Sequence, residues 1–265
     1  MKASVEWLWA ALRRRPRAAI AAVLLLAAAG AACAAWDASR TASLVSADPD
    51  ALAASPSLTA FAVSRGRRGF DRYCADCHGV SGKGDASRGV PDLTDHDWLY
   101  GQGRASEIEG VIDYGIRAPN AKTWRLARMP AYARPVPYPP EPTMKPLSPD
   151  DIRDVIAFLF FIERRRPQSD ASQRGGAIFT GRGGCYDCHG PDGHGDPGIG
   201  APNLTDDIWL YGHGGAADIF ETIAYGRAGV CPAWSGRLKP GLIREIALYV
   251  HALSDRRAPA DKGRS

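Results

Sequence analysis

The chain repeats itself at one fixed offset, and a duplication of that size leaves few folds open to it. Cys74-Ala75-Asp76-Cys77-His78-Gly79 returns as Cys185-Tyr186-Asp187-Cys188-His189-Gly190, 111 residues later. Pro91-Asp92-Leu93-Thr94-Asp95-His96-Asp97-Trp98-Leu99-Tyr100-Gly101 returns as Pro202-Asn203-Leu204-Thr205-Asp206-Asp207-Ile208-Trp209-Leu210-Tyr211-Gly212 at the same offset. The spacing from motif to block is the same in both copies, with no insertion or deletion. The unit that recurs is the size of a small domain.

C-x-x-C-H is the pattern of covalent c-type haem attachment. Two thiols spaced this way match the two vinyl groups of a haem, and the next residue, histidine, falls under the iron. A bare C-x-x-C is shared with thioredoxin-like redox pairs and zinc sites. The appended histidine and the second copy make those readings poor. The sequence therefore predicts two covalently bound haem c groups. Cys74, Cys77, Cys185 and Cys188 carry the thioethers, and His78 and His189 are the proximal ligands. Of six cysteines, only Cys33 and Cys231 lie outside the motifs, so no disulfide framework is left over.

Five of the 33 basic residues and one of the 29 acidic ones lie before Trp36, which leaves 28 of each in the remainder. That balance supplies no basic stripe and excludes nucleic acid as a partner class. Arg13, Arg14, Arg15 and Arg17 precede an uncharged Ala/Leu/Val run over 18–35. Basic-then-apolar reads as an export element with its N-terminus in the cytoplasm. As a helix the run is about 27 Å long, enough to span the hydrocarbon of an inner membrane. Three fates are open: a retained anchor, cleavage near Ala29 and Ala31, or lipidation at Cys33, for which Gly30 is a poor match. In each case the haem domains face a bacterial periplasm.

The expected organisation is a signal or membrane anchor (1–36), a linker (37–57), cytochrome c domain 1 (58–163), a second linker (164–173) and cytochrome c domain 2 (174–256). No convincing strand is read. Apolar residues recur at helical spacing after each block (Ile108, Val111, Ile112; Ile219, Ile223), and both runs end on glycine. A second helix closes each copy, with stripes Ile152, Val155, Ile156, Leu159, Phe160 and Leu242, Ile246, Tyr249, Val250, Leu253. Ser148-Pro149-Asp150-Asp151 supplies a cap and an N1 proline. Shorter helices ending at Gly69-Phe70 and Ile178-Phe179 precede the motifs. The fold class is all-α. Copy one alone carries a Pro-rich insertion, Arg134 to Pro142, read as an extended surface loop or docking segment.

An electron-transfer haem needs a sixth ligand, commonly methionine. Met129, in Met129-Pro130-Ala131-Tyr132, is the candidate for the first haem, with Met144 as alternative. The second copy has no methionine, and Cys231 stands at the matching place in Cys231-Pro232-Ala233-Trp234. A thiolate there would lower that haem's potential. His194, His213 or His251 as ligand, an open site and a modified thiol are the competing readings.

These residues bring a family into view. Residues 60–255 resemble the dihaem subunit (subunit III, FixP/CcoP type) of cbb3-type cytochrome c oxidases. The likeness rests on the paired motifs, the W-L-Y-G blocks, Tyr114-Gly115-Ile116-Arg117, Met129-Pro130-Ala131-Tyr132 and the stretch from Gly226-Arg227 through Gly229 to Pro232-Ala233-Trp234. It implies two tandem class I cytochrome c domains after the anchor. It also implies electron transfer from a donor cytochrome to the monohaem cytochrome and haem–copper catalytic subunit of the oxidase core. Cys231 departs from the methionine the family leads one to expect. A dihaem carrier for another respiratory or sulfur-oxidising system, or an enzyme built on a Cys-ligated haem, are the alternatives.

Overall fold

Serine and proline open the main helices, and glycine closes those that lead into the ligand loops. The structure is a computed structural model that describes residues 16–53, 55–123, 127–138 and 141–255. Arg13, Arg14 and Arg15, Pro139 and Pro140, and the chain past Asp255 lie outside the described residues. Contacts divide the chain into two units at Ala47 and Asp48. The first unit is helix α1 (Pro16–Ser46), whose 31 residues run about 46 Å. It is long and apolar enough to cross a membrane, and Val23, Leu24, Leu25 and Leu26 are all exposed.

The second unit runs through α2 (Pro49–Ala53), α3 (Pro56–Tyr73), α4 (Ala75–His78), α5 (Ala105–Tyr114), β1 (Val136–Tyr138), β2 (Glu141–Met144), α6 (Pro149–Ile162), α7 (Asp170–Thr180), α8 (Tyr186–His189), α9 (Ala216–Tyr225) and α10 (Pro240–Asp255). The stretch 37–57, expected as a linker, is largely helical instead. Leu52 of α2 is buried. Asp50 accepts from the Ser106 amide at 2.8 Å and its hydroxyl at 2.7 Å, which satisfies the start of α5. The Pro-rich insertion contains a short antiparallel hairpin that the sequence did not reveal, with Val136 opposite Met144. Val136 is buried in a core cluster, so this segment is not wholly a surface loop.

At α6 the Ser148 hydroxyl accepts from the Asp151 amide, and the Asp151 carboxylate accepts from the Ser148 amide. The helix that follows does not fold back onto its own repeat. It packs on α7, the opening helix of the second repeat, and on α9. The last helix, α10, packs on α3 and α5 of the first repeat. The contacts are matched pairwise. Phe158 of α6 meets Phe179 with ring centres 5.2 Å apart, and Tyr249 of α10 meets Phe70 at 5.3 Å. At both crossings the backbones come close at a glycine. A Cβ on Gly175 would lie 1.9 Å from the Asp154 carbonyl oxygen, and one on Gly66 would lie 1.9 Å from that of Glu245.

The sequence repeats and the packed cores therefore differ. One core gathers Phe70, Ile108, Ile112, Ile243, Ile246 and Val250; the other gathers Ile152, Val155, Leu159, Phe179, Ile219 and Ile223. The first core joins two distant stretches of chain. The second is continuous from the Met129 loop to α9. Residues 164–173, read from sequence as the linker between domains, cover the exposed connection from α6 to α7 and the first turn of α7, two helices that pack in the same core.

Candidate haem sites

Each C-x-x-C-H motif forms one helical turn, α4 or α8, held by the His78 amide on the Cys74 carbonyl at 2.9 Å and the His189 amide on that of Cys185 at 3.0 Å. The ring of His78 sets Nδ1 3.4 Å from the Pro91 carbonyl, and His189 sets Nδ1 3.1 Å from that of Pro202. A carbonyl only accepts, so Nδ1 carries the proton and Nε2 keeps its lone pair. Burial lowers the pKa of both rings, opposed by those carbonyl bonds, so both stay neutral donors to a metal. The carbonyls of Pro91 and Pro202 open the two W-L-Y-G blocks, which explains why the distance from motif to block is the same in both copies. Burial pushes the Cys74 thiol up to about 12 and that of Cys185 to about 11.

The loops with the candidate sixth ligands are exchanged between repeats. The Met129 amide donates to the Arg227 carbonyl at 3.0 Å, and the Met129 carbonyl accepts from the Arg227 amide at 3.2 Å. Cys231 makes the same pair with Ile116, at 3.1 and 2.8 Å. Further along, the Tyr132 amide reaches the Ile223 carbonyl at 3.0 Å, and the Trp234 amide reaches that of Ile112, also at 3.0 Å. Glycine is required where each loop arrives. Gly115 and Gly226 have φ of 71° and 72°, and a Cβ would lie 2.5 Å from the Cys231 carbonyl oxygen or 2.4 Å from that of Met129.

Met129 therefore packs against the same core cluster as Cys185, Leu204 and Trp209, on the second motif's side. Tyr132 stands against Cys185, and burial raises its pKa, with the Cys185 and Cys188 charges next in weight. Trp234 of the Cys231 loop packs on Tyr73 and belongs with Cys74 in the first core. Burial pushes the Cys231 thiol up to about 11, and the neighbouring charge that adds to it is Cys77. The Met129 loop thus lies on the side of the second motif and the Cys231 loop on that of the first, whereas the expectation from sequence pairs Met129 with the first haem and Cys231 with the second. The other candidates do not line the cavity that holds both motifs. Met144 packs beside Gly184. His194 is exposed and paired with Asp192 at 2.9 Å. His213 is exposed, and His251 Nδ1 is bonded to the Gly103 carbonyl at 2.9 Å.

Comparison with known proteins places this geometry. A cytochrome c family model matches residues 63–160, and the model for cytochrome c oxidase, cbb3-type, subunit III matches residues 170–250. The chain is 39% identical over 213 residues to the cbb3-type cytochrome c oxidase subunit FixP of Bradyrhizobium sp. (strain ORS 278), covering 80% of this chain and 67% of that one. It is 37% identical over 210 residues to subunit CcoP of Cereibacter sphaeroides, covering 79% and 67%. It is 34% identical over 224 residues to FixP of Rhizobium meliloti, covering 84% and 71%. The chain belongs to the cbb3-type cytochrome c oxidase subunit III family. It spans about two thirds of the length of these relatives. Among solved structures, a Kuenenia stuttgartiensis reducing HAO-like protein complex is similar at a TM-score of 0.20 and 19% identity, over 72% of this chain and 96% of that one. That likeness is too slight to bear on the fold.

Cytochrome c domains of this family carry covalently bound haem c, and the residues here fit it. One cavity of about 520 Å³ is lined by both motifs, by Met129 and Cys231, and by apolar side chains including Phe70, Leu93, Phe179 and Leu204. Its donor set is two neutral imidazoles, a thioether and a thiol. The block tyrosines close it from opposite repeats. The Tyr100 ring packs on Gly200 and the Tyr211 ring on Gly89, while Arg227 lies over Tyr211 with its guanidinium carbon 4.3 Å from the ring centre.

Proposed function

We propose that this chain is a dihaem electron-transfer subunit that relays electrons from a periplasmic donor cytochrome to the core of a cbb3-type oxidase. The carrying observation is that one apolar cavity holds both C-x-x-C-H motifs, each faced by the ligand loop of the other repeat. Bound haem supplies one-electron chemistry; the rest is positioning by this chain. Cys74, Cys77 and His78 would hold one haem, with Cys231 as its further ligand. Cys185, Cys188 and His189 would hold the second, with Met129. Pro91 and Pro202 fix the histidine rings through their carbonyls. The apolar lining keeps water away, which limits reorganisation when the charge on the site changes.

Unequal sixth ligands make the two sites unequal carriers. Thiolate ligation by Cys231 would place the lower potential at the first motif. Membership of the family supports the oxidase core as acceptor. Helix α1, with the uncharged run 18–35, supports an inner-membrane anchor with the haem sites in the periplasm.

The test is ligand replacement with each haem identified by its neighbours. In the ferric holoprotein, paramagnetic proton NMR separates the haem beside Phe70 from the one beside Phe179. Met129→Ala should remove the methionine signal from the haem beside Phe179 and leave the other unchanged. Cys231→Met should raise the potential of the haem beside Phe70. Methionine loss at the Phe70 side would overturn the crossed pairing.

A further inference from the structure

Arg117 lies in the first repeat, just after α5, yet its side chain touches both ligand loops. Its Nε donates to the Gly229 carbonyl. Its Nη1 donates to the Ala127 carbonyl at 2.8 Å and to the Tyr100 hydroxyl at 3.1 Å. Gly229 is two residues before Cys231, and Ala127 is two residues before Met129. The two carbonyls are the same position of the two exchanged loops. One planar guanidinium thus bonds equivalent points of both loops, where the approximate two-fold relation of the repeats brings them together.

The backbone marks Arg117 as well. Its φ is 50°, one of two positive values among the described non-glycine residues. That conformation is disfavoured for any residue with a Cβ and persists only where the surroundings enforce it. The matching position of the second repeat is Ala228, which has no donor to offer. The arrangement is therefore one-sided: the first repeat supplies the fastening for both loops. Tyr100 adds a third point, because its ring packs on Gly200 of the second repeat while its hydroxyl accepts from Arg117.

We propose that Arg117 is a positioning residue that clamps both sixth-ligand loops at once, so that neither can leave its haem independently of the other. Arginine suits this better than lysine, since its fork presents several donors in one rigid plane. The functional consequence rests on Met129 and Cys231 being the sixth ligands; the clamp itself does not.

The experiment is amide hydrogen exchange on the haem-loaded full chain, comparing wild type, Arg117→Gln and Arg117→Lys. Arg117→Gln should speed exchange at least ten-fold in both 127–131 and 229–233, with the cores of α3 and α10 unchanged. Arg117→Lys should fall between, because it keeps the charge without the fork. Loosening of one loop alone would overturn the clamp, and so would no change in either. Faster exchange throughout the helices would show a general structural role and also overturn it. Ferric spectra of Met129→Ala and Cys231→Ala, taken alongside, decide the ligand reading separately. If both spectra match wild type, the ligand assignment fails while the exchange data still decide the clamp. In Arg117→Gln, binding of added imidazole to both ferric haems should accelerate at least ten-fold.

Discussion

Pro91 and Pro202 contribute to the site through their carbonyl oxygens, an atom every residue has. The sequence shows the constant distance from histidine to proline but cannot say which atom matters, so this orienting role was not legible. The paired C-x-x-C-H motifs were legible as candidate attachment sites, because covalent attachment needs those side chains at that spacing. A third residue matters for a different reason. The Glu163 side chain is 1% exposed, with Oε2 accepting from Arg165 at 3.1 Å and Oε1 lacking a partner among the described residues. Burial holds its carboxyl above the ordinary glutamate range, opposed by Arg165 and reinforced by Asp206 and Asp207. The folded state then binds this proton more tightly than the unfolded chain does. Stability from this group is full below the ordinary glutamate pKa and is lost as pH rises through the raised value. Glu163→Gln should therefore raise Tm at about pH 7 and raise it less at about pH 4, below the ordinary glutamate value. A lower Tm at neutral pH would show instead that the pairing with Arg165 outweighs the burial.

The helices were read correctly as helices, and their partners were not. The apolar stripes of α6 and α10 are equivalent, so either fits the opening helix of either repeat. Pattern alone cannot choose between a helix that folds back on its own repeat and one that crosses over. One hint was present: only 163–169 separate α6 from α7, and a short connection favours antiparallel neighbours. The longer stretch from Gly115 to Pro130 then carries the chain from one core to the other. The hairpin β1–β2 was missed because prolines within a strand argue against pairing. Exchange has a testable cost. Ile246 lies in the second repeat by sequence and is 0% exposed in the first core. Ile246→Ala should cost about 2–5 kcal/mol, read as a shift in the denaturant midpoint. The disturbed haem should be the one on Cys74 and Cys77. Disturbance confined to the Cys185 and Cys188 haem would contradict the exchanged packing.

At the scale of the molecule, the second core is one continuous stretch and the first is interrupted by it. An exported fragment covering 127–228 holds the Met129 loop, α6, α7, the second motif and α9. It should attach one haem and fold, as seen by haem staining and a cooperative melt. A fragment covering 170–255, the second repeat as sequence defines it, lacks α6 and should attach haem poorly or melt without cooperativity. Equal behaviour of the two fragments would refute the boundary drawn from packing. The sequence by itself determined the cofactor chemistry, the helical class, the apolar helix near the N-terminus and the family. Each of these depends on residue identity at short spacing, or on composition over one segment. Only the tertiary structure put the Met129 loop on the second motif's side and the Cys231 loop on the first's. It alone showed that α10 completes the first core and that Arg117 bonds both loops. These are choices between near-identical partners far apart in the chain. Periodicity weighs them equally, and they are settled by connection length, by glycine contacts at the helix crossings and by backbone pairing between the repeats.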